Sequence, residues 1–174
     1  MATVPRGGIG LEIGVQAGNF TADILAAARP KVLHAVDCWR HIRDGPYASD
    51  SANVEDAEQD ALYATVLRRF WADIAVGRFI AYRILSADAF DLFPPAFFDW
   101  AYIDADHSRA GALADLSGCL RVVRPGGWIM GHDYQRRSYF GVIEAVGDFL
   151  GGTGLSLSVL TMDRDPSFGI RLPT

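Results

Sequence analysis

Apolar positions in this chain fall into short runs separated by segments with helical spacing. The runs Ile9–Ile13, Lys31–Val36, Phe79–Leu85, Phe98–Ile103 and Trp128–Met130 are bounded by turn residues. Mostly apolar runs without strict alternation are the mark of strands covered on both faces, as in a parallel sheet. Helical patterns lie between them over Phe20–Ala28, Val54–Val76, Asp88–Leu92 and Arg109–Val122. A further helix is predicted over Tyr139–Leu150, with Gly151-Gly152 as its stop. Leu155–Leu160 and Phe168–Leu172 flank the turn-like Thr161–Ser167, which contains Asp165-Pro166, and so predict an antiparallel hairpin. Regular strand–helix alternation implies an α/β architecture with right-handed crossovers.

Together these elements predict a Rossmann-like, doubly wound, mostly parallel seven-stranded sheet with a C-terminal antiparallel hairpin. At 174 residues, with no internal repeat or low-complexity segment, the chain is expected to form one domain over 1–174. One stretch breaks the alternation: Cys38 to about Asn53 is polar and turn-rich and carries Trp39, His41 and Tyr47. Long connections of this kind in compact domains often serve as lids.

Composition narrows the partners. Half of the residues are hydrophobic and 21% are charged, which suits a globular chain rather than a disordered one. A formal charge of −5 argues against nucleic acid, which demands clustered Lys and Arg. Arg68-Arg69 and Arg136-Arg137 are the only adjacent basic pairs and read as solvated surface. No apolar stretch approaches the roughly 20 residues of a membrane span, so no membrane association is expected. The N-terminus lacks the pattern of a signal peptide. Cys38 and Cys119 show no C-x-x-C spacing and suggest a reducing compartment, hence a cytoplasmic protein.

The chemistry begins at Leu11-Glu12-Ile13-Gly14-Val15-Gln16-Ala17-Gly18-Asn19-Phe20-Thr21. A strand turning sharply into a helix leaves backbone N–H groups exposed, and glycine lets a ligand approach them. The second strand ends at Asp37, roughly 20 residues on, where Rossmann-like folds place an acid on ribose hydroxyls. The pair predicts an adenosine-containing cofactor. A dinucleotide site would need G-x-G-x-x-G, but Gln16 stands where the middle glycine belongs. Glu12 would repel a phosphate and suits a ligand with ammonium and sulfonium charges.

Ligands in such sheets bind outside the carboxyl ends of the strands. Strand three delivers Ser86-Ala87-Asp88, where Asp88 is read as accepting from an adenine amine beside the Ala87 backbone, or alternatively as capping the short helix behind it. Strands four and five deliver Asp104, Asp106, His107, His132 and Asp133. So many carboxylates in one place need a counter-ion, protonation or solvent. Asp104 and Asp133 offer hard oxygen ligands for Mg²⁺ or a similar ion; the alternative has Asp104 orienting the cofactor amine and Asp106 capping the next helix.

Tyr102-Ile103-Asp104-Ala105-Asp106-His107-Ser108, Arg124-Pro125-Gly126-Gly127 and Gly131-His132-Asp133-Tyr134, together with E-x-G-x-x-x-G at Glu12–Gly18, resemble class I S-adenosylmethionine-dependent methyltransferases. They resemble most a bacterial group related to the metal-dependent small-molecule O-methyltransferases. The resemblance implies S-adenosylmethionine as cofactor, held by Glu12, Gly14, Gly18, Asp37, Cys38, Ala87, Asp88 and Asp104. It implies a small-molecule hydroxyl as methyl acceptor, and the cluster at the strand ends offers His107, Asp104 and His132 for catalysis. It also implies a divalent cation (Mg²⁺ or Mn²⁺) on Asp104, Asp133 and His132. Here the chain departs from the group, whose metal-dependent members carry two oxygen ligands in tandem where this chain has His132; imidazole favours Mn²⁺ or Zn²⁺ over Mg²⁺. His107 is the first candidate for the general base and His132 the second. Tyr134 is a candidate for lining the acceptor site. An exposed apolar surface expected at Phe93–Phe98 points to a homodimer. The alternatives are an NAD-dependent oxidoreductase and a non-catalytic nucleotide-binding protein.

Overall fold

The computed structural model describes residues 5–137, 140–162 and 164–174. Five strands run parallel: β1 (Ile9–Ile13), β2 (Val32–Asp37), β3 (Phe79–Arg83), β4 (Phe98–Ile103) and β5 (Val123–Gly131). β6 (Val159–Leu160) and β7 (Phe168–Arg171) complete one seven-stranded sheet in the order β3-β2-β1-β4-β5-β7-β6. β7 lies antiparallel to β6, as the hairpin pattern predicts, and antiparallel to β5 as well. The helices are α1 (Asn19–Ala27), α2 (Asp56–Arg69), α3 (Trp71–Ala75), α4 (Ser86–Phe90), α5 (Arg109–Val122) and α6 (Val142–Thr153).

Two apolar clusters, one on each side of the sheet, show that it is doubly wound. Leu11, Ile13, Ala101 and Ile103 pack with Phe90, Leu116 and Val146 of α4, α5 and α6. Trp100, Tyr102 and Met130 pack with Ile24 of α1 and with Val66 and Phe70 at the end of α2. Phe98 joins the first cluster while Trp100 joins the second, and the pairing of β4 with β5 shifts register between them.

Where the elements differ from the sequence pattern, packing explains it. The predicted helix over Val54–Val76 is broken at Phe70, whose φ of −108° and ψ of 18° leave the helical region. Its ring turns inward, 5.0 Å from that of Phe79. α6 runs through Gly151-Gly152 and ends at Gly154, whose φ of 72° supplies the left-handed cap. The predicted start of that helix at Tyr139 lies outside the described residues. β5 begins at Val123 rather than Trp128 because α5 leads straight into it. The apolar surface expected at Phe93–Phe98 is reduced to Pro94, Pro95 and Ala96, which are exposed. Its aromatic members turn inward: Phe93 and Phe98 are buried, and with Phe97 they ring His34. The large exposed apolar side chains include Trp71 and Val76 instead.

Pairing register sets the site. Ile13 pairs with Val36 and Ile103, and Ile103 with Gly131, so four central strands end level. The ladder runs on through Gly14 N–H to the Val36 carbonyl, Asp104 N–H to Ile13 and His132 N–H to Ile103. Gly14, Asp37, Asp104 and His132 therefore emerge along one edge.

Candidate active site

Along that edge opens a cavity of about 590 Å³, within the size range of small-molecule sites. Gly14, Val15 and Gln16 form one part of its wall, Asp37 and Cys38 another, Ser86 and Ala87 a third, and Asp104 to His107 a fourth. The strand-to-helix loop needs glycine at Gly14. Its φ is +87°, and a Cβ there would lie 1.9 Å from the Asp104 carbonyl oxygen.

Asp37 staples this loop. One carboxylate oxygen accepts from Val15 N–H and Gln16 N–H, both at 2.9 Å, and the other accepts from Trp39 N–H at 2.9 Å. Trp39 is wholly buried and returns its indole N–H to the Gln16 carbonyl at 2.9 Å. Loop and lid thus share one hydrogen-bonded base.

Glu12 does not present its charge to the cavity. It is wholly buried beneath the loop and accepts from the Thr21 hydroxyl with both oxygens, at 3.0 and 2.8 Å. Burial lifts its pKa to about 8; the Thr21 hydrogen bond opposes the rise, and the charges of Asp104 and Asp37 add to it. At neutral pH it is mostly the neutral acid. The sequence expectation of a carboxylate facing an ammonium or sulfonium is corrected on this point. Gly18 also lies off the cavity lining, opening α1 with a φ of +74° where a Cβ would meet the Phe70 ring at 2.6 Å. Asp88 is exposed in the first turn of α4 and lines no part of the cavity, whereas its neighbour Ala87 does. It does not cap α4, whose N-cap position is Leu85. Tyr134 likewise lies off the lining and packs by Phe168 at 5.9 Å.

The segment after β2 lies over the cavity. Ile42, Tyr47 and Ala52 line it, and Asn53 ties the segment together by exchanging hydrogen bonds with Ile42 N–H and the Ile42 carbonyl, each at 2.8 Å. From this segment the buried Asp50 reaches His107 Nδ1 at 3.3 Å.

His107 is the centre of a charged cluster. Its Nε2 lies 3.0 Å from Asp133 Oδ2 and 3.4 Å from Asp104 Oδ1, and its ring stacks on Phe140 at 4.4 Å. Burial by itself would lower its pKa, but the hydrogen bonds to Asp104 and Asp133, the Asp133 charge and Asp50 outweigh it and raise it to about 10. His132 Nδ1 lies 3.4 Å from Asp133 Oδ2 and 3.8 Å from Asp104 Oδ1, and its pKa is raised, chiefly by the Asp133 hydrogen bond. Asp133 has a left-handed φ of 53° and accepts from the Gln135 amide at 2.6 Å. Its burial opposes ionisation, but hydrogen bonds from His107, His132 and Gln135 hold it well below the usual carboxylate range.

Among the described residues, Asp104, His107 and Asp133 each offer one ligand atom within 4.8 Å of the others, which is metal-ligand spacing. The structure brings His107 rather than His132 into that group. Asp50 and Asp115 are the site residues that sequence reasoning missed. Nothing in the local pattern around either marks it; only the fold carries them to the cavity and its cluster.

The sheet order, the glycine turn after β1, the acid that ends β2 and the cavity across them define a class I methyltransferase. The methyltransferase domain family matches residues 11–134, and the chain belongs to that family of S-adenosylmethionine-dependent enzymes. Solved structures agree on the fold. A 1,6-didemethyltoxoflavin-N1-methyltransferase from Burkholderia thailandensis, with bound 1,6-didemethyltoxoflavin and S-adenosylhomocysteine, is 15% identical at a TM-score of 0.62 over 97% of this chain and 72% of that one. An rRNA methylase from Streptococcus thermophilus is 12% identical at 0.65, over 99% and 91%. An O-methyltransferase family protein from Burkholderia thailandensis is 10% identical at 0.67, over 95% and 51%. Comparison with curated protein sequences gives no match. Among the described residues no helix is long and apolar enough to cross a membrane.

Proposed function

We propose that residues 1–174 form one domain that transfers a methyl group from S-adenosylmethionine to a hydroxyl oxygen of a small molecule. The observation that carries this reading is that Asp104 and His107 belong both to the cofactor-sized cavity and to the charged cluster at its edge. A cofactor lying on Gly14 and Asp37 brings its methyl group toward that cluster. Methyl transfer is an in-line displacement, so alignment supplies much of the rate. The acceptor oxygen bonds to the methyl carbon as the carbon–sulfur bond breaks. That electron pair stays on sulfur as a neutral thioether, and the hydroxyl proton leaves to a base.

His107 is poorly placed to take that proton while both ring nitrogens face carboxylates. It serves better to hold Asp104 and Asp133 in position. His132, whose contacts with the carboxylates run through Nδ1, is the imidazole left for the proton step. The donor set of two carboxylates and one imidazole fits Mn²⁺ or Zn²⁺ better than Mg²⁺. Such an ion would take the place of the proton at His107 Nε2; it would then be held by Asp104, His107 and Asp133 and would supply Lewis acidity toward the acceptor hydroxyl.

A small acceptor is favoured over RNA by charge. The cluster places Asp50, Asp104 and Asp133 around the cavity's edge, and the chain carries −5 overall, which repels a phosphodiester backbone. Isothermal titration with S-adenosylhomocysteine and with NAD tests the cofactor. Tight NAD binding with none for S-adenosylhomocysteine would sink this reading. Transfer of labelled methyl across a panel of hydroxyl compounds and total RNA then tests the acceptor.

A further inference from the structure

Past Asp37 and Cys38 the cavity reaches a wall built by the turn after β3 and by α4 and α5, where Ile84, Ala87, Phe90 and Ala114 are apolar. Asp115 interrupts that wall. The residue is 3% exposed and yet lines the cavity. Among the described residues the Ser86 side chain is the hydrogen-bond donor that stabilises its charge, one donor for a group with two oxygens and about four lone pairs. Burying a carboxyl in apolar surroundings is expensive unless a partner meets it. Neither the glycine loop nor the His107 cluster accounts for one here.

A ligand with its ribose at Asp37 and its sulfonium over Gly14 directs its base toward this wall. Asp88, the acid placed after β3 by sequence, points elsewhere. We propose that Asp115 reads the purine edge of the cofactor, accepting a hydrogen bond from the exocyclic 6-amino group. The inference rests on the cofactor reading above. A carboxyl is suited to this task in either protonation state, because one oxygen accepts from the amine in both. When neutral, its hydroxyl also donates to the neighbouring ring nitrogen. Burial raises the Asp115 pKa to about 7, with Ser86 opposing and Asp106 adding to the rise, so both forms are present near neutrality. Burial in the cavity wall also makes the contact selective, since a base without the amine leaves the carboxyl unpaired.

The test uses the whole chain and two probes: S-adenosylhomocysteine, and its analogue in which hydrogen replaces the purine 6-amino group. Wild-type protein is expected to bind the analogue about tenfold more weakly, the value of one such hydrogen bond. Asp115→Ala is expected to bind the two equally. Asp115→Asn, whose amide oxygen still accepts, keeps a preference, and thermal melts confirm that both variants are folded. An unchanged ratio in Asp115→Ala overturns the inference while leaving the cofactor reading intact, and so does a ratio lost equally in Asp115→Asn. Failure of wild-type protein to bind S-adenosylhomocysteine at all overturns the cofactor reading and the inference with it.

Discussion

Glu12 and Thr21 form a closed pair beneath the cofactor loop, with both Glu12 oxygens accepting from the single Thr21 hydroxyl at 3.0 and 2.8 Å. The pair ties β1 to α1 and holds an acid that prefers to keep its proton.

That preference makes stability depend on pH. The pKa of Glu12 rises from 4.5 to about 8 on folding, so the folded state keeps a proton that the unfolded chain releases. The contribution is fully present below about pH 4.5 and is lost as pH rises through about 8, on the order of several kcal/mol in all. Glu12→Gln keeps an acceptor for Thr21 without the ionisation. It is expected to melt several degrees higher than wild type at pH 8 and to match it at pH 5. Equal melting temperatures at pH 8 would count against this account.

Gly14→Ala is expected to cost about 2 kcal/mol or more, because an L residue at a positive φ is strained and the new methyl meets the Asp104 carbonyl. Binding of S-adenosylhomocysteine should be lost along with it. Denaturant unfolding and titration calorimetry check the two effects separately.

Asp37→Ala removes the acceptor for three backbone N–H groups, those of Val15, Gln16 and Trp39. Hydrogen bonds to a charged group are worth about 1.5–3 kcal/mol each at most sites. S-adenosylhomocysteine affinity is expected to fall at least about tenfold. Asp37→Asn, which retains one accepting oxygen, should fall between the two.

Asp133 is off the cavity lining but shares the metal-spaced group. Asp133→Ala is expected to abolish stimulation by Mn²⁺ while changing S-adenosylhomocysteine affinity by less than about threefold. EDTA should inhibit wild-type turnover. Turnover indifferent to EDTA ends the metal reading.

Much of the fold was legible because each strand advertises burial on both faces. Ile9–Ile13, Phe98–Ile103 and Arg109–Val122 have the bounds that their pattern predicts. Bounds shifted where a side chain's destination mattered more than its propensity, as at Phe70, whose ring leaves the helix line for the core. The aromatic run Phe93–Phe98 misled for the same reason. Its apolarity was plain, but only the packing around His34 shows that it faces inward.

By itself, the sequence determined the sheet, the glycine turn, the acids at the strand ends and hence the family. These are local matters: periodicity, a glycine where φ must be positive, and a carboxylate one residue past a strand. Tertiary structure alone decided which of those acids reach the cavity. Glu12 and Asp88 sit at the right positions along the chain, but one is sealed under the loop and the other is turned to solvent. Asp50 and Asp115 come from a lid and a helix far away in sequence. Side-chain destination depends on non-local packing, and no spacing rule along the chain encodes it.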